Sequence, residues 1–270
     1  MLSLHISEHP LVQPITDGLY RHLEKSVFDI KKVRQDEAAW SMLEMECDAA
    51  VVSPVVYARK QKELVMLDGA CVAEFGATGD VMLYFKPGLH HISKIITIDM
   101  QETDILLTKI VLSEKYRMEP EFIPMETTVM EAIQHADGVL APGTAPVENG
   151  LSQECMDMSD EWFDMVQVPY VRYVMAGWKH RITEELDLIV KEVGKEADEK
   201  ALKLLDATVH GRLTDDETHQ IPAHRRYYHT QDTLEGLETF FRYAFYHGLH
   251  KDIPELHFWK KEEDAGESDA

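Results

Sequence analysis

Arg172 stands inside the run Val168-Pro169-Tyr170-Val171-Arg172-Tyr173-Val174, which otherwise reads as an apolar strand. A guanidinium buried there must have a partner, because an unpaired buried charge is very costly. Two partners suit it: the carboxylate of Asp80, as a structural ion pair, or a ligand carboxylate gripped by its forked donors. Ser53, Thr103 and Thr144 each stand where a predicted strand gives way to a helix or a loop. Backbone N–H groups gather at such junctions and favour anions, so each hydroxyl is either a ligand contact or the cap of its own turn. Glu8 and His9, near the end of the first predicted strand, are an acid–base pair by type, and an exposed loop pair is the simpler account.

Other chemistries find no support. The chain has 14 histidines, but His90-His91, His224…His229 and His247…His250 bring no carboxylate or cysteine at ligand spacing, so no metal is expected. Cys47, Cys71 and Cys155 are odd in number, far apart and without a CxxC pair, which argues for reduced thiols. Gly76-Ala77-Thr78-Gly79 is not followed by Gly-Lys-Ser/Thr and so is no phosphate loop. No G-x-S-x-G elbow is present, and no cofactor is expected. Arg225-Arg226-Tyr227-Tyr228 reads as part of a helix that packs its tyrosines.

Charge narrows the partners. With 49 acidic against 27 basic residues, the net charge is -22, which repels phosphate backbones and anionic lipid. A small organic anion is therefore the expected partner, attracted by local groups and not by the global field; nucleic acid and membrane are not. No apolar run approaches the ~18 residues of a membrane helix. The first residues lack both the basic and the long apolar part of a secretory signal, so the expected location is cytoplasmic. The oligomeric state is not legible.

These residues must be held by elements whose periodicity can be followed. Short apolar runs at residues 2–6, 28–33 and 49–52 read as strands, separated by helical spacing at 15–23 and 37–47. A helix opens at Ser53-Pro54, with Pro in its first turn. Two further runs at 65–67 and 72–75 precede the glycine break, and 81–85 is another strand. A second series follows: strands at 95–98, 121–123 and 138–140, with helices at 102–116 and 128–135. Residues 168–174 read as a strand, and the chain is helical over about 183–213 and 232–246. Asp232 and Glu235 have capping-box spacing, and Gly248 suits a C-cap. Two β-α-β-α-β series predict an α/β protein of two lobes, each a mainly parallel sheet flanked by helices. In such sheets ligands sit beyond the carboxyl ends of the strands. Lobe one is expected over residues 1–85 plus 175–260, lobe two over 86–174 as an insertion, and 261–270 as a disordered acidic tail.

Several stretches, in this order, resemble chorismate dehydratase of the futalosine route to menaquinone and its sister enzyme. Asp48-Ala49-Ala50-Val51-Val52-Ser53-Pro54-Val55-Val56-Tyr57-Ala58-Arg59 is similar to the family's D-x-A-L-V-P-S-I-E-Y-A-R. Asp160-Glu161-Trp162 with Val168-Pro169-Tyr170-Val171 resembles E-W…G-L-P-F-V; Tyr116–Phe122 and Gly236-Leu237-Glu238-Thr239-Phe240-Phe241 also match. The resemblance runs from about Leu2 to Phe258. It implies the two-lobed periplasmic-binding-protein-like (type 2) fold, in a cytosolic protein with its ligand held between the lobes. It also implies removal of water from chorismate, helped by the substrate's own carboxylate.

The departures fall at expected ligand positions. The family's Asn three residues before the Pro matching Pro14 is Leu11 here, and its Ser before the strand at 81–85 is Asp80. Its I-G-D-x-A becomes Ala141-Pro142-Gly143-Thr144-Ala145, its T-S helix start becomes Glu102-Thr103, and a Phe becomes Arg172. Ser53, Asp80, Thr103, Thr144, Arg172 and Leu11 are thus the expected ligand-binding positions, with no catalytic residue assigned. The pattern leaves open an active dehydratase, a non-catalytic binder of an aromatic or enolpyruvyl carboxylate, or an enzyme with another carboxylate substrate.

Overall fold

The structure is a computed structural model that describes residues 2–23, 28–86, 88–89, 91–147, 155–209, 224–248 and 251–260. In chain order the elements are β1 (Leu2–Ser7), α1 (Gln13–Leu23), β2 (Phe28–Val33), α2 (Gln35–Leu43), β3 (Ala49–Val52), α3 (Pro54–Arg59), β4 (Leu64–Glu74) and β5 (Met82–Phe85). They continue with β6 (Lys94–Thr97), α4 (Glu102–Tyr116), β7 (Glu121–Pro124), α5 (Val129–His135), β8 (Gly138–Ala141), β9 (Cys155–Asp157) and α6 (Met158–Val166). The last are β10 (Tyr170–Trp178), α7 (Glu184–Val209), β11 (Arg225–Arg226) and α8 (Gln231–Tyr246). They form two compact units: Met1–Cys71, Tyr173–Ala197 and Glu255–Ala270 in the first, Val72–Arg172 and Asp198–Pro254 in the second.

In unit 1, β1 is parallel to both its neighbours, with Leu2 opposite Phe28 of β2 and Leu4 opposite Ala49 of β3. Every residue of β3 is buried, as expected of a strand covered on both faces. Ile15, Leu19 and Leu23, four apart on α1, are all buried, which confirms the helical spacing. β10 runs antiparallel to β3, with Gly177 opposite Ala49. The two runs expected at 65–67 and 72–75 are one continuous strand, β4. Gly69 does not break it; it lets α7 approach closely. A Cβ at Gly69 would lie 2.5 Å from Lys191 Cα, and one at Gly194 would lie 1.9 Å from the Gly69 carbonyl oxygen.

In unit 2, five strands lie in the order β7-β6-β8-β5-β9. β6 is parallel to β7 and β8, the pairs that the second β-α-β-α-β series predicts. β5 is antiparallel to β8 and β9. α5 starts with a capping box between Thr128 and Glu131. α8 packs its aromatic face against α6 and the start of β10: Phe240 lies 6.0 Å from Trp162 and 5.7 Å from Tyr170, ring to ring, and Tyr243 lies 5.8 Å from Trp162. Residues 198–254 therefore group with 72–172, whereas the sequence placed them with lobe one; the unit boundaries fall inside β4 and β10.

Two local expectations are corrected. Arg225-Arg226 is not helical; it is β11, antiparallel to the end of β4, with Arg225 opposite Glu74. α8 starts at Gln231 because Thr230 and Thr233, not Asp232 and Glu235, exchange the capping hydrogen bonds. Gly248 follows α8 with φ +77°, as a C-terminal glycine should. The expected end of the long helix near 213, the tail 261–270, His90 and His250 lie outside the described residues.

Candidate functional site

The carboxyl edge of unit 2's sheet gathers two of the expected hydroxyls. β6 and β8 run in register, Thr97 beside Leu140, so both end at the same edge. β6 leads through Asp99, in the left-handed region at φ +50°, to the N-cap Gln101 and the first turn of α4. Gln101 provides no side-chain cap to α4. Thr103, in that first turn, is buried, and its Oγ1 has no hydrogen-bond partner among the described residues. A buried hydroxyl left so is costly unless something else pairs with it. β8 leads to the loop carrying Thr144, which is exposed.

That loop is fixed from below. Asp157, the N-cap of α6, accepts from Ser159 N–H at 2.9 Å and Asp160 N–H at 3.3 Å through Oδ1. Its Oδ2 accepts from Thr78 N–H at 2.8 Å and Gly79 N–H at 2.6 Å, so one carboxylate caps a helix and holds the glycine turn. Burial nonetheless pushes the Asp157 carboxyl up from its ordinary value, with Glu74 adding to it. The turn in turn sets the Thr144 loop: a Cβ on Gly143 would sit 1.7 Å from the Gly79 carbonyl oxygen, so only glycine fits.

Beneath α4 lies a buried charge cluster. Arg172 donates from Nη2 to Asp104 Oδ2 at 2.9 Å and from Nη1 to Glu74 Oε1 at 3.4 Å. Asp80 Oδ2 is 3.7 Å from Arg172 Nη1, but its close partner is Arg225. Tyr170, two residues before Arg172 on the same strand face, donates to Asp104 Oδ1 at 3.4 Å. Glu74 Oε2 accepts from Ser159 Oγ at 2.5 Å and Thr78 Oγ1 at 3.3 Å. Complete burial pushes the Glu74 carboxyl up; Asp80 adds to this, and Arg172, Arg225 and Ser159 oppose it. The cluster holds two guanidiniums and three carboxyls.

The sequence expected Arg172 to pair with Asp80 or with a ligand; Asp80 is one of its ion-pair partners, at 3.7 Å, while its shortest pair is with Asp104 and the closest cation to Asp80 is Arg225. Sequence reasoning missed Glu74, Asp104 and Arg225. Two of them left a trace: Glu74 is an acid in an apolar strand, and Asp104 shares a helix face with Leu107 and Val111.

The remaining two positions belong to unit 1. β1 and β3 end at one edge; Ser53 follows β3 directly, and Leu11 lies in the short turn that comes after β1. Ser53 is the N-cap of α3 and makes no side-chain cap bond to it. Leu11 sits in the short turn Pro10–Val12, where its N–H donates to His9 Nδ1 at 3.3 Å. His9 therefore caps a turn and packs against Tyr173 with the rings tilted by 53° at 5.8 Å, which is a structural role.

A model of the menaquinone biosynthesis family matches residues 2–246. A search of curated protein sequences finds no match. Among solved structures, protein AF1704 from Archaeoglobus fulgidus is 14% identical, covers 92% of this chain and 98% of its own, and superposes with a TM-score of 0.62. The periplasmic aliphatic sulphonate binding protein SsuA from Escherichia coli is 9% identical over 100% of this chain and 95% of its own, with a TM-score of 0.58. A Candida albicans protein described as having the generic periplasmic binding protein fold is 8% identical over 98% and 99%, also at 0.58. These likenesses establish the fold, a two-lobed periplasmic-binding-protein-like α/β architecture. By the match across nearly its whole length, the chain belongs to the menaquinone biosynthesis family.

Proposed function

We propose that the chain binds a small organic anion of the chorismate kind, with Thr103 at the first turn of α4 as its principal contact in unit 2. The observation that carries this reading is the buried Thr103 hydroxyl without a partner among the described residues, at the start of a 15-residue helix. A helix N-terminus offers N–H donors and a favourable dipole to a carboxylate. Thr144 at the same edge of unit 2, and Ser53 and Leu11 at the carboxyl edge of unit 1, are the further contacts proposed. Family membership supports an acid of the menaquinone route, and removal of water from chorismate is the reaction proposed. Three cysteines that form no disulfide favour a cytoplasmic setting, and no helix among the described residues is long and apolar enough to cross a membrane.

A second reading, binding without turnover, has its own support. Asp80 and Gly143, two departures from the family pattern, are built into the structure by the Arg225 ion pair and the close approach to Gly79. A thermal-shift screen with chorismate, its dehydration product and related aromatic acids tests both readings. A ligand at a hundred times its dissociation constant should stabilise the protein by about 2.7 kcal/mol. Stabilisation by chorismate with ultraviolet-detected turnover supports the dehydratase, stabilisation without turnover supports the binder, and no stabilisation by any acid defeats both.

A further inference from the structure

The opposite edge of unit 1's sheet carries a separate recess of about 420 Å³. Asp48 directly precedes β3, Lys62 and Glu63 precede β4, and Trp178 ends β10, so the recess opens at the amino ends of β3 and β4. Asp48 and Ser53 are five residues apart along one extended strand, roughly 16 Å. The recess is thus distinct from the positions of Leu11 and Ser53.

We propose that this recess binds a small organic anion carrying two negative charges and a compact apolar body. Its floor and rim are held by backbone hydrogen bonds. Trp178 N–H donates to Asp48 O at 3.0 Å, Lys179 N–H to Glu63 O at 3.0 Å, and Arg181 N–H to Trp178 O at 2.8 Å. The turn after β10 therefore presents Lys179, His180 and Arg181 in fixed succession, and pre-organisation of this kind lowers the cost of binding.

Charge points to the ligand class. Both acids of the recess are engaged: Asp48 accepts from Ser3 N–H at 2.8 Å and lies 3.6 Å from Arg181 Nε, and Glu63 lies 3.8 Å from Lys60 Nζ. Lys62 and Lys179 make no ion pair among the described residues. In a chain of net charge -22, two such cations facing one recess mark the place where an anion is locally attracted. Trp178, Met45 and Cys47 supply apolar surface for the ligand's body. Burial, with the Asp48 charge, pushes the Cys47 thiol up to about 12, so it stays protonated and the recess binds without covalent chemistry.

Isothermal titration of the full chain with phthalate (benzene-1,2-dicarboxylate) tests this, with benzoate as the monoanion. Expected is one saturable phthalate site, weakened at least about tenfold by Lys62→Glu with Lys179→Glu, and unchanged in Thr103→Val. Benzoate should bind more weakly than phthalate. Both lysines are exposed, and an unchanged melting curve verifies that the double variant folds. Absence of saturable phthalate binding to the native chain overturns the proposal. So does affinity that survives the double charge reversal, or that is lost only in Thr103→Val.

Discussion

Arg172 on β10 and Asp104 in the first turn of α4 are joined by a buried hydrogen-bonded ion pair of 2.9 Å, and Tyr170 secures the other carboxylate oxygen. Thr103 is the residue next to Asp104. Arg172 therefore buttresses Asp104, and with it the first turn of α4 in which Thr103 lies.

Removing Arg172 should expose that dependence. Arg172→Ala leaves Asp104 buried without its cation, a loss of about 3–5 kcal/mol in urea unfolding. A double-mutant cycle with Asp104→Asn should give a coupling of at least about 1 kcal/mol. Additive effects, or a loss within about 0.5 kcal/mol for Arg172→Ala, would contradict the cluster.

Glu74 makes the stability of the protein fall as pH rises. Its folded pKa is raised above the ordinary 4.5, chiefly by burial, so the folded state holds a proton that the unfolded chain releases. The contribution is fully present below the unfolded value and is lost as pH climbs through the folded one. Glu74→Gln keeps a neutral side chain at all pH, so its stability relative to the native chain should be higher at pH 7 than at pH 4. A difference that is flat with pH, or of opposite slope, in denaturant titrations would refute the raised pKa of Glu74.

Much of this was legible in the chain. Short apolar runs and four-residue spacing located β1, β3, α1 and α4, and Arg172 in an apolar strand announced a buried carboxylate partner. The partner itself was not legible. An acid in a helix's first turn, such as Asp104, is ordinarily explained by the helix dipole, and only three-dimensional contact shows it paired with Arg172. Strand direction at β5 and β10 was hidden for a related reason, because alternation reports burial and not the neighbour's direction, and the three-residue β9 is too short to show a period at all. The short β11 was misread because Arg225 owes its place to Asp80, which lies 145 residues away.

Gly143 should tolerate no side chain. In Gly143→Ala the new Cβ meets the Gly79 carbonyl oxygen, so the Thr144 loop and the glycine turn must separate. A loss of about 1–3 kcal/mol in thermal or urea unfolding is expected. Native stability in this variant would show that the two turns are not in the contact described.

Thr103→Val separates a structural hydroxyl from a functional one. Its Oγ1 has no partner among the described residues, so the isosteric change should leave the unliganded protein as stable as before or raise its melting temperature. A clear drop in melting temperature would mean that the hydroxyl serves the fold.

The most direct test of the account is isothermal titration of chorismate into the native chain and into Thr103→Val. The account predicts saturable binding to the native chain and at least about tenfold weaker binding to the variant, the loss of one hydrogen bond to a charged group. Equal affinity in the two proteins, or no binding to the native chain, would contradict it.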